Sequence, residues 1–134
     1  MKKLLAIIIL SLLFSGNTYA NNLIGKKLVC KNPKGSILGI GSTYYEFIND
    51  KEVKSSIIRE KSYEVFERIN YYNAYAKTID IFLSRSTILL YTIDRQTLKT
   101  SSGYKCEVVN FNIKGYLQKQ SRELINKHSK DNKI

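Results

Sequence analysis

The chain has no tryptophan, one proline, one histidine and two cysteines among its 134 residues, and its 11 acidic residues face 22 lysines and arginines. Each shortage excludes something. Two Cys and one His cannot furnish the four protein ligands of a structural zinc site. One proline and seven glycines exclude collagen-like and proline-rich architectures. A single histidine, His128, leaves Ser-His and Cys-His nucleophile systems dependent on one residue near the end of the chain. After Phe14 no apolar run approaches the ~18–20 residues of a spanning helix. What is present is a 43% apolar, tyrosine-rich composition. That is too apolar for a disordered chain and is the right size for one domain.

The first twenty residues read as a secretory signal peptide. Lys2 and Lys3 precede the apolar run Leu4–Phe14, broken only by Ser11, and Thr18-Tyr19-Ala20 ends on a small residue suited to cleavage. The expected domain plan is therefore a signal peptide over 1–20, a β domain over 21–110 and a basic C-terminal helix and tail over 111–134. Cleavage removes two lysines and no acid, lowering the formal charge from +11 by two, to +9. Export places Cys30 and Cys106 in an oxidising compartment, where they have one intramolecular pairing open to them. A disulfide tying the first mature strand to the last is expected; a redox-active pair would sit much closer in sequence.

Between residues 26 and 109 the pattern is one of short β-branched and aromatic runs separated by turn residues. Strands are expected over Lys26–Lys31, Ser42–Ile48, Glu52–Arg59, Ser62–Arg68, Tyr71–Lys77, Thr78–Leu83, Thr87–Ile93, Leu98–Thr100 and Tyr104–Val109, with the charges of Val53–Arg68 also compatible with a helix. In Ser62–Arg68, alternation puts Tyr63, Val65 and Glu67 on one face and Glu64, Phe66 and Arg68 on the other. Asn49-Asp50 marks a tight reversal, because both residues tolerate positive φ. Thr87–Ile93 is the most apolar stretch of the mature chain and reads as the central strand. The fold class is mainly β: an antiparallel meander of about seven to nine short strands forming a small barrel or sandwich. Beyond Val109 the period changes. Asn110 or Asn112 can cap a helix. Ile113, Tyr116, Leu117, Gln120, Leu124 and Ile125 follow at helical spacing, with a frayed tail from about His128.

Few constellations suggest chemistry. Glu64 and Glu67 are an odd number apart and diverge on a strand. Asp80 and Asp94 are a second candidate pair, near in space rather than in sequence, and a hydrolase would use carboxylates such as Asp80 or Glu107. Asp94 is explained by its turn. Gly35, Gly39 and Gly41 lack the lysine and hydroxyl of a phosphate loop. The most distinctive feature is tyrosine, ten in all. Tyr71, Tyr72 and Tyr75, flanked by Asn70 and Asn73, form the best candidate contact surface. On the helix, Lys119, Arg122, Lys127 and Lys130 are the candidate contacts to an anionic surface.

Three segments carry a resemblance. Lys27-Leu28-Val29-Cys30-Lys31, Tyr91-Thr92-Ile93-Asp94-Arg95-Gln96-Thr97-Leu98 and Tyr104-Lys105-Cys106-Glu107, behind a signal peptide, resemble small exported bacterial β-domain proteins with one Cys near each end of the mature chain. That resemblance implies a compact β domain and no assigned activity. The end-to-end cysteines are also similar to those of periplasmic lysozyme inhibitors of the small β-barrel type. Thr100-Ser101-Ser102-Gly103-Tyr104 stands near their inhibitory loop pattern without matching it.

The expectation is thus a periplasmic or secreted binding protein, monomeric and without catalytic activity or cofactor. Its partner would be an envelope protein, an anionic surface or a small ligand, met through a tyrosine-rich β surface. Nucleic acid is not expected, nor a transmembrane span after cleavage. The alternatives are a carboxylate-dependent periplasmic hydrolase and a lysozyme-inhibitor-like protein.

Overall fold

The computed structural model describes residues 23–32 and 41–131. The expected signal peptide, residues 1–20, and the segment 33–40 lie outside the described residues. Seven strands and one helix follow one another: β1 Lys27–Lys31, β2 Ser42–Phe47, β3 Glu52–Ile58, β4 Val65–Ala74, β5 Thr78–Phe82, β6 Leu89–Asp94, β7 Cys106–Val109 and α1 Ile113–Asp131. The strands form one antiparallel sheet in the order β6-β5-β4-β3-β2-β1-β7, curled into a half-barrel. β1 to β6 are the expected meander. β7 returns to pair with β1, which puts Cys30 directly across from Cys106, and the two are joined by a disulfide.

Alternation decides which side chains enter the half-barrel. Leu28, Tyr45, Phe47 and Val53 are buried on its concave face, with Tyr72, Ile79, Ile81, Tyr91 and Ile93 facing them from later strands. Phe47 meets the edge of Tyr72 at a centroid distance of 4.8 Å, an arrangement worth about 0.5–1.5 kcal/mol beyond the area buried. The convex face carries a second, smaller core. There Ile113 and Leu117 of α1 pack on Ile58, with Tyr44, Tyr63, Val65 and Leu124 around them. Asn112 is the cap: its Oδ1 accepts the Gly115 N–H at 3.0 Å. Ser121 adds a hydroxyl bond to the Tyr63 carbonyl at 2.5 Å. The helix thus lies on the outer face over β3 and β4, away from the sheet edges.

Several expected details change. Ser62–Arg68 and Tyr71–Lys77 merge into the single ten-residue β4, because Asn70 does not interrupt the ladder. Its side chain is buried, donates to Ser55 Oγ at 3.3 Å and accepts the Ser84 N–H at 2.9 Å. Thr87–Ile93 is not central. Its strand β6 stands at the end of the sheet order, and β3 occupies the middle; Ile88 and Leu89 are exposed while Tyr91 and Ile93 point inward. Leu98–Thr100 is not a strand but makes isolated bridges, Ile93 to Thr100 and Lys99 to Lys105. These draw the end of β6 towards the start of β7. The Asn49-Asp50 reversal does not use positive φ, which occurs instead at Tyr63, Ser84 and Leu98 among non-glycines. Asn49 Oδ1 holds the turn by accepting the Lys51 and Glu52 N–H groups at 2.9 and 2.8 Å. The tail does not fray at His128. The helix runs to Asp131, and the His128 ring stacks on Tyr63 at 4.6 Å.

Candidate functional site

The candidate site follows from how β4 is shared. Its first part, Val65–Tyr71, pairs with β3, whereas β5 pairs only with Tyr72–Ala74. Before Tyr71, whose N–H still reaches the Ser84 carbonyl at 2.9 Å, the far edge of β4 has no strand beside it among the described residues. The curled sheet therefore opens along this stretch. A cavity of about 240 Å³ lies behind the opening, lined by Thr43, Tyr45, Ser55, Ile57, Phe66, Arg68, Asn70, Leu83 and Leu90.

The register explains the lining. Ile57 lies opposite Phe66, Ser55 opposite Arg68 and Val53 opposite Asn70, so these residues share the concave face. The wall from β2 to β4 is mixed polar and apolar; Leu83 and Leu90 close the other side. The polar atoms are well tethered. Thr43 Oγ1 donates to Asn32 Oδ1 at 2.7 Å, and Ser55 Oγ donates to the Arg68 carbonyl at 3.3 Å. At the floor the Tyr91 hydroxyl donates to that of Tyr45. At the rim two cations meet one ring: Arg59 lies 4.2 Å and Arg68 5.3 Å from the Phe66 centroid. Among the described residues neither arginine is in an ion pair; the pairs that form are Lys54–Glu46 and Arg85–Glu52.

Burial moves the floor tyrosines. Loss of water pushes the Tyr45 hydroxyl up to about 12, the bond from Tyr91 acting weakly the other way. Burial also raises Tyr91, reinforced by the proximity of Tyr45. On the convex face burial, helped by a hydrogen bond with Tyr116, raises Tyr44 to about 12. An unfolded tyrosine ionises near 10. Between pH about 10 and about 12 the unfolded chain therefore loses protons that the folded one keeps, and stability falls as pH rises. Urea unfolding midpoints should be level up to pH about 9.5 and decline above it. Tyr45→Phe should flatten the decline. A midpoint that stays level to pH 11.5 would contradict this burial of the hydroxyls.

The sequence candidates separate. Tyr72 is 1% exposed and belongs to the core, its hydroxyl donating to the Asn49 carbonyl at 2.5 Å. With Tyr71 it borders a cavity of about 150 Å³ beside Lys51, Phe82 and Thr87. Tyr71 and Tyr75 are exposed, at 36% and 50%, on the outside of the half-barrel, and the cavity of about 240 Å³ involves neither. Lys119, Arg122, Lys127 and Lys130 are all exposed on α1, leaving a basic face turned from the sheet. Asp80 and Asp94 share the outer face of the neighbouring strands β5 and β6, where Asp80 lies opposite Thr92 and Asp94 opposite Thr78. Asp80 accepts from Thr92 Oγ1 at 2.7 Å. Asp94 caps its turn by accepting the Thr97 and Gln96 N–H groups, which hold its carboxyl below the usual range. Glu107 is exposed on β7, opposite Val29. The Thr100–Tyr104 loop is tied in by backbone bonds, Ser101 N–H to Thr92 and Thr100 N–H to Tyr104.

The rim residues Arg59, Phe66 and Arg68 were not among the sequence candidates. The alternation of Phe66 and Arg68 on one face was visible, but that this face is the concave one depends on the β3–β4 register. Compared with family models, curated proteins and solved structures, the chain matches none.

Proposed function

We propose that the chain is an exported, non-catalytic binding protein that receives a small ligand in the cavity at the open side of its half-barrel. The observation that carries this is the cavity itself. It lies on the concave face at the place where β4 has no neighbouring strand among the described residues, and it combines apolar walls with a few fixed polar groups, as ligand sites do. At about 240 Å³ it is smaller than the ~300–1,000 Å³ typical of drug-sized sites, so the ligand is small. The Cys30–Cys106 disulfide supports an oxidising compartment. The exposed basic face of α1 provides a second surface, one that would hold the protein near anionic envelope components.

Native mass spectrometry of the protein taken from its own envelope tests this. The expected species is residues 21–134 less two hydrogens, carrying a small adduct. A bare species that also binds nothing in a metabolite thermal-shift screen would overturn the ligand-binding role. A mass that retains residues 1–20 would overturn export with cleavage.

A further inference from the structure

We infer that the Arg59–Phe66–Arg68 rim is an anion clamp, and that the cavity takes a small amphipathic anion: a carboxylate or phosphate head on a short apolar body. This rests on the cavity being a binding site and assigns its ligand class. Three observations converge. The first is charge. Two guanidinium groups lie against one phenyl ring, at 4.2 and 5.3 Å from its centroid, and no carboxylate among the described residues pairs with either. Both charges add to the positive potential around Phe66, and a bound anion is attracted by each. The second is chemistry. A planar guanidinium offers paired N–H donors matched to carboxylate and phosphate oxygens, and the Phe66 face limits how each planar group can turn. The third is placement. Arg68 is at once a rim residue and part of the cavity lining. An anionic head bound there continues inward onto Ile57, Leu83 and Leu90, where an apolar body is covered. Ser55 and Asn70 beneath are already bonded to each other at 3.3 Å, which fixes the polar wall before a ligand arrives.

The test compares three probes with one tail: octanoate, octyl phosphate and octanol. Binding is followed by calorimetry and by amide NMR shifts at fixed ionic strength. Octanoate and octyl phosphate should bind at least tenfold more tightly than octanol and should shift the amides of Thr43, Ser55 and Asn70. Arg59→Gln and Arg68→Gln should each weaken the two anions about tenfold and leave octanol unchanged. Both arginines are solvent-exposed, so near-ultraviolet circular dichroism should not change. Phe66→Leu, which keeps the apolar wall but removes the aromatic face, should weaken the anions by a smaller factor. Octanol binding as tightly as the anions in the same amides would overturn the clamp and leave the cavity as a site. Anions that shift only amides of α1 would overturn it in favour of its basic face. Cavity amides unmoved by all three probes would remove both the clamp and the binding site beneath it.

Discussion

Replacing Cys30 and Cys106 together by alanine should lower the unfolding free energy by about 3–5 kcal/mol. The disulfide spans 76 positions, and the chain-entropy relation gives about 4.5 kcal/mol for a loop of that length. The local structure offers little to replace it. β7 is only four residues long and pairs along one side with β1. Its other side has the short link to the 98–105 segment, where Cys106 N–H meets the Leu98 carbonyl at 2.6 Å. A domain of this size typically has ~5–15 kcal/mol in total, so the variant would be left near the threshold of folding. Urea unfolding measures both effects at once. If the crosslink acts through the unfolded chain, the slope m should rise, because the open chain exposes more surface. A loss below about 1 kcal/mol with unchanged m would mean that strand pairing alone holds β7 in place.

Much of this fold is legible in the residues, and the reason is alternation. Thr43, Tyr45 and Phe47 recur at period two, so β2 has one buried face whatever lies across from it. The turn at Asp94 and the cap at Asn112 are local chemistry, readable without a partner. The pairing of Cys30 with Cys106 follows from there being two cysteines. What escapes is whatever depends on a register between distant strands. The run Thr87–Ile93 is apolar enough for a central strand, yet composition does not say how many neighbours a strand has. Asn70 looks like a break because asparagine favours turns; it is instead buried through bonds to Ser55 and Ser84. The candidate site is the extreme case. Phe66 and Arg68 share a face in any strand, but their meeting with Arg59 needs the β3–β4 pairing, and the cavity needs β5 to stop short along β4.

Tyr72→Ala should cost about 3–5 kcal/mol, whereas Tyr71→Ala and Tyr75→Ala should each change stability by no more than about 0.5 kcal/mol. The three residues look equivalent in sequence, and the pleat separates them. Tyr72 faces inward opposite Ile81, stacks its edge on Phe47 and ends its hydroxyl on the Asn49 carbonyl. Truncation removes a ring from a packed core and frees a carbonyl at the β2–β3 turn at the same time. Tyr72→Phe isolates the second effect and should cost about 1 kcal/mol. In a domain of roughly 100 residues, the alanine variant should lose on the order of 10–20 °C in melting temperature. A triple alanine variant at 71, 72 and 75 therefore reports on the core, and any loss of binding it shows would reflect unfolding. Tyr71→Ala combined with Tyr75→Ala is the variant that asks whether the exposed tyrosines touch a partner. If that pair binds normally while Arg68→Gln does not, recognition belongs to the open side of the half-barrel. Should Tyr72→Ala instead melt within a few degrees of the parent, the inward placement of Tyr72 would be wrong, and with it the β4 register that builds the cavity.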